Sequence, residues 1–320
     1  MTPHPPRGPL DSALAVAASD LWILYRSGDP EAAHRYCSRR LMDAAGDAGL
    51  SAMLVDPNRV AITEHHGRRA VLRLDGRRVG VPRAVISRSG SRLGNRGRRL
   101  ISVLEAAGST TVPSARALAF AGDKLTAARV LERSGVPTPR VVALPPSPDP
   151  DWLAGELGFP LVVKNAQGSK GLEVRLCEGP SQIAATMQAV AGKGAILAQR
   201  FVAHSRGRDV RVMVIDGRVV TAMMRCATGD EFRSNVACGG TARAVDPTRD
   251  MTQLALRAAA VLNLDVAGVD LLFDGTGLTV CEVNTAPGFE QLEQATGHDI
   301  AGSIIDHLRR SMAGTAVEAA

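Results

Sequence analysis

Aromatic residues are scarce in this sequence, and Phe, Trp and Tyr together make up 3% of its 320 residues. Single-stranded nucleic acid is bound on aromatic side chains interleaved with basic ones, and no stretch here has that composition. Nucleic acid is therefore not expected as a partner, although the formal net charge is +6. The chain also lacks an apolar run of the roughly 20 residues that a membrane span needs. We therefore expect no membrane partner.

Cysteine is also sparse, and the pattern of the five cysteines excludes two kinds of site. They are odd in number and scattered, with no CxxC pair for zinc and no disulfide framework, which predicts a cytoplasmic protein. At the two ends, the proline-rich residues 1–19 predict a flexible N-terminal extension, and residues 313–320 predict a flexible tail.

The order of the predicted elements indicates more than one domain. Strand and helix patterns alternate from Asp20 to about Pro113, which is typical of an α/β unit. A second unit begins with a helix between Asp123 and Gly135, for which Asp123 is the predicted N-cap. The remainder alternates strand pairs with amphipathic helices, as an α+β unit does.

A glycine-rich loop follows an apolar strand in "LVVKNAQGSKGLEV". Lys164 stands at the end of the strand, and the loop carries Gly168, Ser169, Lys170 and Gly171. Glycines let the backbone approach phosphate oxygens, and lysine supplies a mobile positive charge. The sequence is not a Walker A motif, and a tight hairpin with exposed lysines remains the alternative.

Three oxygen-bearing side chains are predicted to share one face of a hairpin. Asp270 lies inside an apolar strand, where a carboxylate needs a partner or a cation. Glu282 and Asn284 alternate onto the same face of the next strand, and the turn at residues 274–277 brings that strand opposite Asp270. Carboxylate and amide oxygens suit magnesium, and the alternative is a solvated strand end.

A polar loop, "FRSNVACGGTA", presents Arg233 and Asn235 ahead of a Gly-Gly pair. A guanidinium fork and backbone donors at this point could hold an anion, and the alternative is an ordinary polar turn. Lys124 lies at the start of the predicted helix. By itself it would be interpreted as a solvent-exposed lysine.

Taken together and in this order, these motifs resemble those of ATP-grasp ligases. The set comprises Lys124, Lys164 with its glycine loop, "RDVRVMV", "FRSNVACGGTA", "GVDLL" and "EVNTAPGFEQLEQATGHDIAG". It is similar to the RimK-type branch, which adds glutamate to an acceptor carboxylate. The resemblance implies an ATP-grasp fold of mixed α/β and α+β class. A Rossmann-like domain (residues 20–113) would precede a central subdomain (114–196) and a C-terminal subdomain (197–312).

The resemblance also implies residue roles. Arg233 and Asn235 would be catalytic, and Asp270, Glu282 and Asn284 would hold two Mg²⁺ or Mn²⁺ ions. The implied ATP contacts are Lys124, Lys164, Gly168, Ser169, Lys170, Gly171, Gln199, Arg200, Phe201, Val202, Asp209 and Arg225.

The implied reaction is an ATP-dependent amide ligation through an acyl phosphate. Its partners would be ATP, an amino acid (glutamate in this branch) and an acceptor carboxylate on a peptide, a protein tail or a small molecule. The chain departs from the pattern of the RimK-type branch at Glu173, at Arg200 and Phe201 after Gln199, and at Cys238. Its acceptor can therefore differ from the acceptor of that branch. A peptide ligase of a natural-product or amino-acid pathway and a catalytically silent nucleotide-binding regulator remain alternatives. The oligomeric state stays open, with a homo-oligomer among the options.

Overall fold

The computed structural model describes residues 19–25, 35–63, 71–90, 93–166, 168, 173–192, 194–234 and 239–318. The predicted N-terminal extension lies outside the described residues except for Ser19. In chain order, the N-terminal part contains β1 (Leu21–Leu24), α1 (Tyr36–Asp47), β2 (Ala52–Val55), β3 (Val60–Thr63), β4 (Val71–Leu74), β5 (Arg77–Val79), β6 (Ala84–Ser87), α2 (Gly94–Ala106) and β7 (Thr110–Val112).

A parallel sheet organises this N-terminal part, with strand order β2-β1-β6-β7. All four residues of β1 are buried, as expected for a strand covered on both faces. The strand order reverses between β1 and β6, which is the arrangement of a Rossmann-like sheet. The fold class implied for this part is therefore confirmed.

Strands β3, β4 and β5 form a separate antiparallel sheet. A hairpin turn lies at Asp75-Gly76, and both turn residues have positive φ, 51° and 79°. Two consecutive residues with positive φ are the signature of a type I′ turn, which matches the twist of the strands.

This turn gives a stability prediction. Gly76→Ala places a Cβ on a residue at φ +79°, which should lower the free energy of unfolding by about 1 kcal/mol. Gly155→Ala is the matched control, since Gly155 lies in a helix and an added Cβ there meets no atom within 4 Å. The control should be neutral or stabilising by up to about 1 kcal/mol. Denaturant unfolding of both variants tests this, and equal effects would contradict the turn assignment.

The central part is an antiparallel sheet with helices packed on it. Its elements are α3 (Ala115–Ala121), α4 (Lys124–Arg133), β8 (Val141–Ala143), α5 (Pro150–Leu157), β9 (Leu161–Asn165), β10 (Val174–Cys177), α6 (Ile183–Ala189) and β11 (Ile196–Arg200). The strand order is β10-β9-β11-β8. Leu153 and Ile183 from the helices pack with Leu161 and Val163 from β9 in one core cluster. The predicted cap of α4 is confirmed, because the Asp123 carboxylate accepts a hydrogen bond from the Thr126 backbone N–H at 2.8 Å.

The C-terminal part is a larger antiparallel sheet. Its elements are β12 (Arg208–Ile215), β13 (Arg218–Cys226), β14 (Thr241–Val245), α7 (Arg249–Val261), β15 (Val266–Phe273), β16 (Leu278–Asn284), α8 (Glu290–Thr296) and α9 (Ile300–Glu318). The strand order is β14-β13-β12-β15-β16. Helix α7 packs on the sheet through Ala255 and Ala258, in a core with Val212 and Val269.

Helix α9 connects the last part of the chain to the first. Ile304 and Leu308 on α9 share a core cluster with Leu21 and Ile23 on β1. The helix continues to Glu318, into residues 313–320, for which the sequence predicts a flexible tail.

Three arginines of the arginine-rich stretch, residues 87–99, bind backbone carbonyl groups elsewhere in the chain. Arg98 on α2 donates to the backbone oxygens of Leu118 and Gly122, both at 2.7 Å. Arg96 donates to the backbone oxygen of Val60 at 2.9 Å, and Arg88 to that of Pro287 at 2.8 Å. These three arginines satisfy backbone acceptors, and Arg96 also remains exposed at the surface. Among the described residues, no helix is long and apolar enough to cross a membrane.

Candidate active site

A carboxylate pair lies at the centre of the C-terminal sheet. Strands β15 and β16 are antiparallel, and Asp270 is directly opposite Glu282, as the sequence predicts. Beyond this pair the register shifts, so that Leu271 lies opposite Val280 and Cys281 is the extra residue of a β-bulge. Bulges bend a strand locally and redirect its side chains. The bulge therefore contributes to the orientation of Glu282 and Cys281.

Asn284 lies beside both carboxylates. Its amide Nδ2 is 3.3 Å from Asp270 Oδ2 and 3.4 Å from Glu282 Oε1. Across the described residues, no group of three or more His, Cys, Asp and Glu side chains could hold a metal ion. The donor set here is instead two carboxylates and one amide. Two carboxylates and an amide are side chains of the kind that bind Mg²⁺, which completes its shell with phosphate oxygens and water. The amide here presents its nitrogen to the carboxylates, so it would have to turn its oxygen towards a bound ion.

Cationic side chains surround the pair. Lys124 Nζ is 3.2 Å from Glu282 Oε2, and it holds the pKa of that carboxyl well below its usual range. Arg211 binds Asp270 in a bidentate contact, with both N–O distances 2.7 Å. Arg225 Nη2 is 3.0 Å from Asp270 Oδ2. The structure thus brings Lys124 together with the three predicted metal ligands.

A buried ion-pair network extends from Asp270 into the sheet. Arg225 on β13 lies directly opposite Asp209 on β12 and donates to both its carboxylate oxygens, with Nε 2.7 Å from Oδ1. Both side chains are less than 10% exposed. Although burial opposes its charged form, the carboxylates of Asp270 and Asp209 raise the pKa of Arg225. Arg225 therefore contacts both Asp209 and Asp270, and all three side chains are buried.

Lys164 and Gln199 form a second polar contact, on the central sheet. The Lys164 ammonium donates to Gln199 Oε1 at 2.6 Å, and both side chains are buried. Burial lowers the pKa of Lys164 and raises that of Cys281 to about 12. The charge of Lys164 acts in the opposite direction on Cys281 and lowers its pKa, and the Lys124–Glu282 contact joins helix α4 of the central part to β16. The site therefore lies where the central and C-terminal sheets meet.

The segment after Gln199 joins these sheets. Arg200 is exposed, Phe201 half-buried and Val202 buried. The Phe201 ring packs edge-on against Phe232, with centroids 6.4 Å apart. Phe201 thus connects this segment to the loop that carries Arg233.

Arg233 contacts a neighbour that the sequence analysis did not single out. Its Nε and Nη2 donate to Glu231 Oε1 and Oε2 at 3.0 and 2.7 Å. The Arg233 guanidinium also lies over the Phe232 ring. Gly168 is described and donates its N–H to the Asn165 oxygen at 3.0 Å. The predicted site residues Ser169, Lys170, Gly171 and Asn235 lie outside the described residues.

Three functional candidates therefore come from the structure alone: Arg211, Glu231 and Cys281. For Arg211 the sequence shows only that it shares a face of its strand with Asp209, two residues away, because its pairing with Asp270 depends on the neighbouring strand. No comparable signal exists for Cys281, whose orientation depends on the bulge.

Comparison with known proteins identifies this arrangement. A family model described as "RimK-like ATP-grasp domain" matches residues 121–308, which include Lys124, the Asp270–Glu282 pair and Arg233. The chain belongs to the RimK-like ATP-grasp family. It is a carboxylate–amine ligase of that family, whose general reaction is ATP-dependent amide-bond formation and for which ATP and Mg²⁺ binding are typical.

Relatives and solved structures agree with this assignment. A "Probable alpha-L-glutamate ligase" from Serratia proteamaculans (strain 568) is 38% identical over 285 residues, covering 86% of this chain and 92% of the relative. The structure of the ATP-grasp ligase PsnB complexed with minimal precursor is similar, with a TM-score of 0.67, 22% identity, and coverage of 91% and 98%. D-alanyl-alanine synthetase A from Vibrio cholerae has a TM-score of 0.69, 17% identity, and coverage of 93% and 100%. At these identities the two solved structures establish the fold.

Proposed function

We propose that this ATP-grasp ligase joins glutamate to the carboxylate of an acceptor, which is a peptide, a protein tail or a small molecule. The observation that carries the proposal is the Asp270–Glu282 pair with Asn284, flanked by Lys124 and Arg211. Such a site combines oxygen donors for a hard cation with positive charges for phosphate. Glutamate is chosen because the similar curated proteins carry the name alpha-L-glutamate ligase.

Residues from the central and C-terminal parts would each contact a different portion of ATP. Lys124, Lys164 and the loop around Gly168 would contact the phosphates, with Ser169, Lys170 and Gly171 completing the loop. The segment Gln199 to Val202 would border the adenine, and Asp209 with Arg225 would lie near the ribose. Asp270, Glu282 and Asn284 would hold Mg²⁺, in our proposal two ions, which supplies charge neutralisation for the phosphates.

The proposed chemistry has two steps. An oxygen of the acceptor carboxylate attacks the γ-phosphorus of ATP, the bond to the β-phosphate oxygen breaks, and ADP leaves. The amine nitrogen of glutamate then attacks the acyl carbon, loses a proton, and displaces phosphate to leave the amide. Positioning and charge stabilisation are the enzyme's contributions to such a transfer. Arg233, with Asn235, would stabilise the negative charge that builds on the transferred group.

The amino acid can be tested directly. We expect ADP release with ATP, Mg²⁺ and a mixture of acidic peptides to be about a hundredfold faster with glutamate than with alanine or lysine, because a site built to bind a charged side chain rejects one that leaves its polar groups unpaired. The assay is coupled ADP release for each amino acid, with product masses read by mass spectrometry. Omission of the peptides is the control for simple ATP hydrolysis.

A faster rate with another amino acid would contradict glutamate while keeping the ligase class. It would favour a peptide ligase of a natural-product pathway. We further propose a cytoplasmic location, since the four described cysteines, Cys37, Cys177, Cys226 and Cys281, are free thiols.

A further inference from the structure

The carboxylate of Glu231 makes an unusually complete contact with Arg233. Oε1 accepts both the backbone N–H of Arg233, at 2.9 Å, and its side-chain Nε, at 3.0 Å. Oε2 accepts from Nη2 at 2.7 Å. One carboxylate therefore fixes the backbone and the end of the same arginine. Because the guanidinium group is planar, two contacts along one edge also define the plane in which it lies.

The environment of the pair strengthens this contact. The side chains of Glu231 and Arg233 are 24% and 19% exposed, so water competes only in part for their hydrogen bonds. The hydrogen bonds from Arg233 lower the pKa of Glu231 to about 2. The carboxylate is therefore ionised throughout the pH range in which the enzyme can be assayed.

The segment that carries the pair is itself held in place. The Arg233 guanidinium lies over the Phe232 ring, 5.8 Å from its centroid. Phe232 packs against Phe201, and its backbone oxygen accepts from the Gly207 N–H at 3.0 Å. The segment that carries Glu231 is thus held in place by contacts of Phe232. Glu231 can therefore restrict the motion of the Arg233 side chain.

We propose that Glu231 is a positioning residue, which holds the Arg233 guanidinium in the orientation it needs during ligation. The inference rests on the proposed function, because it assumes that Arg233 stabilises the transferring group. Without such a contact, ordering the long arginine side chain in the transition state costs conformational entropy. A contact that orders the side chain before the reaction removes this entropy cost from the activation barrier. Glu231 does not touch the substrate in this account.

The kinetic test uses Glu231→Gln, which keeps the size of the side chain but replaces one acceptor oxygen with an NH₂ group facing Nη2. We expect kcat to fall about tenfold with little change in KM for ATP, since oriented groups affect the transition state more than nucleotide binding. The exposed neighbour Asp230 provides the matched control, Asp230→Asn, which should keep the parental kcat. Assays use ATP, Mg²⁺, glutamate and acidic peptides.

A double-mutant cycle distinguishes positioning from an independent role. If Glu231 acts through Arg233, Glu231→Gln should cause no further loss in the Arg233→Lys background. Parental kcat in Glu231→Gln, or an equal loss in both backgrounds, would overturn the inference. A constant ratio of variant to parental kcat between about pH 6 and 9 is also expected, because the carboxylate does not titrate there.

A second measurement does not depend on ligation. Trypsin cleaves after arginine, so the rate of cleavage between Arg233 and Ser234 reports how firmly the pair holds this segment. We expect cleavage in Glu231→Gln to be about fivefold faster than in the parent. Because the substitution also changes the sequence that trypsin recognises, each rate is first divided by the cleavage rate of an unstructured peptide with the same sequence. Unchanged cleavage would refute the contact in solution. Parental ligation in Arg233→Lys, by contrast, would refute the role of Arg233 in the proposed function.

Discussion

Replacing Glu282 with Gln should lower the rate of ATP-dependent ligation by about a hundredfold to a thousandfold at saturating Mg²⁺, because a metal ligand supplies several kcal/mol of charge stabilisation. Glutamine is preferred to alanine because its amide oxygen still offers an acceptor to Lys124, whose ammonium is 3.2 Å from Glu282. The variant should therefore fold, which circular dichroism and thermal unfolding can check.

The matched control for this variant is Glu132→Gln, on the exposed face of helix α4, which should keep the parental rate. Coupled ADP release at several Mg²⁺ concentrations is the measurement. Normal turnover of Glu282→Gln at high Mg²⁺ would remove Glu282 from the metal site, while an unfolded variant would show up in the thermal scan and be replaced by Glu282→Asp.

Replacing Arg233 with Lys should reduce ligation by about a hundredfold while leaving ATP affinity close to the parental value. The size of the effect is that of losing one oriented donor at the transition state. Lysine keeps the charge but loses the planar fork, and it cannot reproduce the paired contacts to Glu231 at 3.0 and 2.7 Å. Nucleotide titration and ADP release measure the two quantities separately.

Arg218→Lys is the control, since Arg218 is exposed at the start of β13. A parental ligation rate in Arg233→Lys would show that Arg233 is not a catalytic donor. A loss of ATP affinity in proportion to the loss of ligation would assign Arg233 to the nucleotide.

Much of the fold near the site is predictable because it depends on local signals. A regular register continued from the turn would place Asp270 opposite Cys281, and the bulge at Cys281 is what puts Asp270 opposite Glu282. The Asp-Gly turn in "GVDLLFDGTGLTVCEVN" is nevertheless sufficient to predict that the two strands pair. The same holds for the cap at Asp123 and the turn at Asp75-Gly76. In each case one or two residues determine the backbone conformation.

Other features depend on distant contacts and give no comparable signal. Helix α2 begins inside the arginine-rich stretch, and its Arg98 side chain binds carbonyl groups more than 15 residues away in sequence. A basic segment of this kind has the same composition whether it faces solvent or satisfies backbone acceptors. Arg211 and Arg225 likewise become partners of Asp270 only when three strands are adjacent.

The central claim is that a carboxylate oxygen of the acceptor is transferred to phosphate during amide formation. The most direct test labels the acceptor carboxylate of the best acidic peptide with ¹⁸O and follows the label after ligation with ATP and glutamate. Our account predicts that each turnover delivers one ¹⁸O atom to inorganic phosphate and leaves the other in the amide product. Unlabelled phosphate, released together with ADP while the peptide keeps both labelled oxygens, would contradict it.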